Sequence, residues 1–155
     1  MKSLVGNRFE IKEKIGSGSF GNVFDAVDKR NGHPCALKVE KKTAKHSLLS
    51  DEARIYRVIG TSVSVPDFLW FDEGEDGSVL AIQRVGPNLQ QLLKNCGGRF
   101  SLKTTIMLAE QMLVAIEYIH KKSLCHRDIK PENFAVGLNN HSNQIYVLDF
   151  GLSKV

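Results

Sequence analysis

The chain has 155 residues, 42% of them hydrophobic and 25% charged, with a formal net charge of +4. This is the profile of a soluble globular protein of one large domain or two small lobes, and so modest a charge reads as a solvated surface, with no nucleic acid or membrane expected as a partner. No apolar run approaches membrane-spanning length, Met1-Lys2-Ser3-Leu4 lacks the apolar core of a signal peptide, and the scattered Cys35, Cys96 and Cys125 form neither a zinc-type cluster nor a disulfide framework, which suits a cytoplasmic or nuclear protein with reduced thiols.

Short strand-like runs fill the first half. Phe9, Ile11 and Ile15 lead into a glycine-rich stretch. Val23–Asp28 follows, Asn31-Gly32 offers a hairpin turn, and Cys35–Val39 forms a third run. One helix fits Leu48–Ile59, with Leu48, Glu52, Ile55, Tyr56 and Ile59 along one face. Val65–Phe71 and Val79–Val85 read as two more strands, joined by a polar turn over Asp72–Ser78. Gly86-Pro87-Asn88 breaks the pattern and marks a hinge, dividing the chain into 1–85 and 86–155. The second half opens with a short helix, Leu89–Asn95. A long one follows over Leu102–Lys122, with Ser101 as N-cap and Leu102, Ile106, Ala109, Leu113, Ile116 and His120 at helical spacing.

Gly16-Ser17-Gly18-Ser19-Phe20-Gly21-Asn22-Val23 fits G-x-G-x-x-G-x-V. No Lys-Ser/Thr pair follows Gly21, as a P-loop requires. A Rossmann turn needs a helix beginning at its third glycine, whereas Asn22–Asp28 alternates like a strand. The remaining form is a glycine loop between two strands, where small residues let backbone N–H groups approach phosphates. Lys38 lies in an apolar strand, Ala36-Leu37-Lys38-Val39, and Glu52 lies on the apolar face of a helix. Each taken singly reads as a charge reaching solvent. Taken together, each supplies the partner that a buried charge needs.

His126-Arg127-Asp128-Ile129-Lys130-Pro131-Glu132-Asn133 matches H-R-D-x-K-x-x-N at every defined position. His126 is read as an orienting group rather than a general base. After the strand-like Ile145–Leu148 comes Asp149-Phe150-Gly151, separated from Asn133 by the 15 residues Phe134–Leu148 with a polar turn at Asn139–Asn143. Asn133 and Asp149 offer oxygen ligands that suit a hard cation such as Mg2+.

On these motifs the chain resembles the eukaryotic protein kinases. Within them it resembles the casein kinase 1 group, by the wording of Gly18-Ser19-Phe20-Gly21, Ala36-Leu37-Lys38-Val39-Glu40, Val85-Gly86-Pro87-Asn88-Leu89, Phe100-Ser101-Leu102-Lys103-Thr104, Ile116-Glu117-Tyr118-Ile119-His120 and Asn133-Phe134. The resemblance runs from about Asn7 to the last residue. It implies an α+β fold with a five-stranded antiparallel N-lobe sheet, one regulatory helix, a mainly helical C-lobe, and ATP in the cleft between the lobes. It places ATP against Ile15, Gly16, Ser17, Gly18, Ser19, Phe20, Gly21, Val23, Ala36 and Lys38, with Ile82 as gatekeeper and Gln83 and Val85 meeting the adenine through backbone groups. Glu52 would hold Lys38 toward the α- and β-phosphates, Asp128 would accept the proton of the substrate hydroxyl, Lys130 would offset charge on the transferring phosphoryl group, and Asn133 and Asp149 would bind Mg2+. The resemblance further implies Ser/Thr specificity toward protein substrates, often acidic or already phosphorylated, and gives no expectation of oligomeric state.

The sequence departs from that family at three places. Gln83-Arg84 stands where Glu-Leu is usual, and Asn22 stands where Glu is common after the glycine loop. The chain also stops four residues past Gly151, so the expected C-lobe is truncated, without the activation segment or the central helix that supports the catalytic loop. Three readings follow: a Ser/Thr protein kinase represented by an incomplete chain; a truncated nucleotide-binding module or decoy that binds ATP·Mg2+ without efficient transfer; or a chain in which residues such as Leu113 and Ile116 lose burial partners and stable folding alone fails.

Overall fold

Alternating apolar residues between positions 4 and 83 build one antiparallel sheet in the computed structural model, which describes residues 4–18, 21–41 and 47–155. Its strands are β1 (Leu4–Val5), β2 (Phe9–Gly18), β3 (Gly21–Asp28), β4 (Pro34–Lys41), β5 (Phe68–Gly74) and β6 (Gly77–Gln83), in the order β1-β2-β3-β4-β6-β5. Helix α1 (Leu48–Ile59) lies between β4 and β5 in the chain. The second half carries α2 (Leu89–Asn95), α3 (Leu102–Lys121) and a two-stranded sheet of β7 (Phe134–Val136) and β8 (Ile145–Val147). The class is α+β, as expected, but the sheet has six strands rather than five.

The added strand is β1. Gly6 and Asn7 turn the chain back through positive φ (56° and 54°), pairing Val5 with Phe9. A Cβ on Gly6 would stand 2.7 Å from the Trp70 ring, so the turn requires glycine. Val5 and Trp70 then pack on a core of Phe9, Ala26, Cys35, Leu37 and Ala81. The expected strand Val65–Phe71 begins only at Phe68, because Pro66 has no N–H to give the ladder, and residues 62–65 close a turn by a Ser62–Val65 bridge. The expected polar turn over 72–78 is mostly strand: Asp72, Glu73 and Gly74 pair with Val79, Ser78 and Gly77.

The chain divides into two compact units, Met1–Arg57 with Asp67–Arg84, and Val58–Pro66 with Val85–Val155. Val58–Pro66 and Val85, which lie within the 1–85 segment read as the first lobe, thus belong to the second unit. In the second unit the Val147 N–H donates to the Ser64 carbonyl (2.8 Å), and the Tyr118 hydroxyl donates to the Ile59 carbonyl (2.9 Å).

Helix boundaries follow local signals. Asn88 accepts from the Gln91 N–H while Gln91 reaches back to the Asn88 N–H, a capping box for α2. Ser101 caps α3. The face of α3 departs from expectation, however. Leu102, Ile106 and Leu113 are 76%, 59% and 71% exposed, whereas Ala115 and Ile119 are the buried residues. The stripe through Ala115 and Ile119 packs toward β8, while Leu113, Ala109 and Leu93 line an open apolar groove of about 600 Å³. Among the described residues nothing covers the periodic stripe through Leu102, Ile106 and Leu113.

A buried charge pair ties the start of β2 to the end of β3. Asp28 is 1% exposed, accepts from Arg8 Nε and Nη2 at 3.0 and 2.6 Å, and accepts from the Arg30 N–H at 3.0 Å. The Arg8 hydrogen bond, outweighing burial, holds the Asp28 carboxyl below its ordinary range. The resulting stability is present above the unfolded carboxyl pKa, near 3.9, and is lost as pH falls through the lower folded value. Asp28→Asn should therefore destabilise the protein by about 1.5–3 kcal/mol at neutral pH. In urea unfolding followed across pH, the gap to the wild type should narrow below about pH 4.

Candidate active site

Cross-strand pairing gathers the expected nucleotide residues of the first unit on one face of its sheet. Gly16 pairs with Val23, Val23 with Lys38 and Lys38 with Leu80; two residues along β4, Ala36 pairs with Ile82. Directly opposed residues, and residues two apart on a strand, share a face. Gly16, Val23, Lys38, Ala36 and Ile82 therefore point the same way. Ile15 sits at the bulge between Lys14 and Gly16, half-buried.

The glycine hairpin closes with Ser17 opposite Asn22 and Gly18 opposite Gly21, and the Ser17 hydroxyl donates to Asn22 Oδ1 at 3.3 Å. Ser19 and Phe20, which come between Gly18 and Gly21 in the sequence, lie outside the described residues. Gly21 has φ +129°, and a Cβ there would fall onto the Val39 carbonyl oxygen. That glycine is required by the sheet itself. Gly16 is different: a Cβ would rest at an ordinary 3.5 Å from Val23.

Lys38 Nζ meets Glu52 Oε1 at 2.6 Å, with side chains 20% and 2% exposed. The spacing of Leu49, Glu52, Ala53, Tyr56 and Ile59 puts Glu52 on the buried face of α1, where an unpartnered carboxylate would be costly. The Gln83 N–H donates to the Asp67 carbonyl at 2.9 Å, and its side-chain oxygen accepts from the Asp67 N–H at 3.1 Å. Both groups are thus engaged within the sheet. Arg84 Nε donates to Asp25 Oδ1 at 2.8 Å. Val85 belongs to the second unit, in a buried cluster with Ala135 and Tyr146.

In the second unit the loop 126–133 brings two side-chain donors to one carboxylate oxygen. Asp128 Oδ2 accepts from Lys130 Nζ at 2.8 Å and from Asn133 Nδ2 at 2.9 Å. Asn133 Nδ2 also donates to the Asp128 carbonyl at 2.8 Å. With the nitrogen so used, the amide oxygen of Asn133 is the atom able to meet a cation. The Leu148 N–H donates to the Asn133 carbonyl at 2.8 Å, continuing the register in which Phe134 faces Val147. This pairing brings Asn133 and Asp149 to the same end of the β7–β8 hairpin. One amide and one carboxylate oxygen suit Mg2+, which takes one or two carboxylates and completes its shell with phosphate and water.

His126, 1% exposed, orients the loop as the sequence suggests. Its Nδ1 accepts the Asp128 N–H at 3.2 Å, so the ring proton sits on Nε2 and is donated to the Leu148 carbonyl at 2.9 Å. Its ring meets Phe150 edge-on, centroids 5.3 Å apart.

Other supports escaped the sequence reading. Arg127 Nε donates to the Leu152 carbonyl at 2.6 Å, Cys125 and Lys154 exchange backbone hydrogen bonds, and the Ser153 hydroxyl donates to the His126 carbonyl at 3.3 Å. Arg127 and Asp149 both have positive φ, 64° and 62°. Aspartate tolerates that region, but no sequence signal marks it for the arginine.

The Lys130 hydrogen bond, and after it the one from Asn133, keeps the Asp128 carboxyl below its ordinary range; burial opposes them. The ionised form is held at neutral pH and lost only as pH falls through the lowered value. Lys130→Ala should raise the Asp128 pKa toward that of a free aspartate, read by carbon-13 NMR titration of the carboxyl. An unchanged titration would remove Lys130 as its cause.

The family model of the protein kinase domain matches residues 9–155. That span begins at the first residue of β2 and takes in the glycine hairpin, the Lys38–Glu52 pair, the loop around Asp128 and the hairpin leading to Asp149, so that features read from separate stretches of sequence fall within one family pattern. The chain belongs to the protein kinase family.

Proposed function

We propose that this domain is a Ser/Thr protein kinase of the casein kinase 1 type, transferring the γ-phosphate of ATP to hydroxyls of protein substrates, including acidic or already phosphorylated ones, in the cytoplasm or nucleus. The observation that carries it is the loop around Asp128, with Lys130 and Asn133 converging on one carboxylate oxygen. A lysine two residues after the aspartate is the form expected of Ser/Thr kinases, and the motif wording around Val85–Leu89 supports the casein kinase 1 assignment.

The chain's own groups divide the work. Asp128, ionised and with Oδ2 engaged, has a second oxygen to align a substrate hydroxyl and receive its proton. Lys130 sets a positive charge beside that oxygen. Lys38, held by Glu52, would hold the α- and β-phosphates. The Asn133 amide oxygen and the Asp149 carboxylate would hold Mg2+, which when bound neutralises phosphate charge. The face shared by Val23, Ala36 and Ile82 is apolar, as an adenine requires.

Incubation with γ-labelled ATP, Mg2+ and an acidic protein should label serine and threonine. Asp128→Asn should lower the rate by about 10²–10⁴-fold. ATP·Mg2+ at about 100 times its dissociation constant should stabilise the fold by about 2.7 kcal/mol. Stabilisation without labelling would replace the kinase reading by that of a nucleotide-binding module. In a nucleotide titration, Asp149→Asn should abolish the Mg2+-dependent part of binding more completely than Asp128→Asn does. Equal losses would refute the separation of metal-holding from hydroxyl-aligning roles.

A further inference from the structure

A polar cluster stands at the start of α1, apart from the groups that meet phosphate or substrate. Glu40 Oε2 accepts from the Ser47 hydroxyl at 2.6 Å and from the Leu49 N–H at 3.3 Å. Ser47 Oγ accepts from the Ser50 N–H at 3.1 Å and lies 3.0 Å from Ser78 Oγ. The one hydroxyl proton of Ser47 goes to the carboxylate, so Ser78 is the donor in that last contact. Ser78 is 2% exposed. Ser47 precedes the first helical residue, so two N–H groups left over by the helix are satisfied here, one by Ser47 and one by a carboxylate on a neighbouring strand. The negative charge also stands at the favourable end of the helix dipole.

The placement of this cluster matters. Glu40 is two residues from Lys38 on β4, and Ser78 is directly opposite Glu40 on β6, so Lys38, Glu40 and Ser78 share one face of the sheet. Along the strand, Lys38 and Glu40 are separated by about 6.6 Å. Along α1, Ser47 and Glu52 are five residues apart, a rise of about 7.5 Å. The two spacings match, so α1 is attached to the sheet at two points: Ser47 on Glu40 and Ser78, and Glu52 on Lys38. One attachment would leave the helix free to pivot; two fix its position along the strand.

We propose that Glu40, Ser47 and Ser78 are positioning residues, a clasp that holds the start of α1 so that Glu52 stays in register with Lys38. The value of that register to phosphate binding rests on the kinase reading above; the clasp itself does not.

The test uses the full chain with Glu40→Gln, Ser47→Ala, Ser78→Ala and the conservative Ser47→Thr, read by amide hydrogen exchange and by ATP·Mg2+ affinity. Glu40→Gln and Ser47→Ala should speed exchange of the α1 amides about tenfold and leave β2 and β3 unchanged. Ser78→Ala should act in the same direction more weakly, and Ser47→Thr should restore the wild-type rate. ATP·Mg2+ should bind several-fold more weakly to Ser47→Ala, and that loss should vanish when Ser47→Ala is made in a Glu52→Gln background, because the register then has nothing to align. Wild-type exchange in both Glu40→Gln and Ser47→Ala would overturn the proposal. So would acceleration spread evenly over the whole unit, or additive losses in the double variant. Lys38→Ala separates the two readings: if it leaves ATP·Mg2+ affinity intact, the nucleotide assignment fails, and the exchange rates alone then judge the clasp.

Discussion

The imidazole of His126 makes two hydrogen bonds that permit only one arrangement of its proton, and the loop around Asp128 is built on that restriction. An N–H from Asp128 points at Nδ1, so Nε2 must carry the hydrogen that it gives to the Leu148 carbonyl. The ring is buried, so neither ring nitrogen could turn to water instead without loss. The backbone of Asp128 and the residue before Asp149 are thereby tied through one rigid group. The Leu148 N–H, on the same residue, bonds to the Asn133 carbonyl. Asp128, Asn133 and Asp149 come from two chain segments, yet all three are one residue or less from this set of bonds.

Such closeness has a conformational cost. Arg127 and Asp149, the residues flanking these attachment points, are both held at positive φ. Each such non-glycine residue costs on the order of 1–3 kcal/mol and persists only where its surroundings impose it. The surroundings here are the Arg127–Leu152 hydrogen bond, the Cys125–Lys154 backbone pair and the Ser153–His126 contact. The segment after Asp149 thus acts as a brace for the loop before Asn133. The family resemblance assigns this support to a central helix; within the described residues, the short stretch Phe150–Lys154 supplies part of it.

What could be read from sequence was local. The helices α1 and α2 start and end where their periodicity and, for α2, the capping residues place them. The H-R-D-x-K-x-x-N spacing is compact enough to be recognised without coordinates, and it falls within the matched protein kinase domain. The missed features depend on partners remote in the chain. The strand β1 exists because Gly6 allows the chain to turn against Trp70, 64 positions away. The stripe on α3 was misjudged because periodicity shows that a face is apolar, not that anything is brought to cover it; Ala115 and Ile119, less conspicuous than Leu102 and Leu113, face β8. Glu40 and Ser78 drew no attention because a carboxylate and a hydroxyl on a strand are ordinary until the register sets them opposite each other at a helix end.

The state of Asp128 bears on how the site works. Lys130 and Asn133 both donate to Oδ2, and both lower the basicity of the carboxyl. A site relying on a strong base would be harmed by that arrangement, since proton abstraction is most effective with a pKa near the working pH. Phosphoryl transfer through a loose transition state makes a weaker demand: the nucleophile must be aimed, and its proton can leave late. A carboxylate fixed by two donors on one oxygen, with its backbone N–H held by a buried histidine, sacrifices base strength for a defined direction. The first unit follows the same principle with Lys38, whose charge is held in place by Glu52 rather than left to search. On the proposed kinase reading, the charge that acts in each unit is held by neighbouring side chains, Lys130 and Asn133 in one and Glu52 in the other, as catalysis by positioning and electrostatics requires.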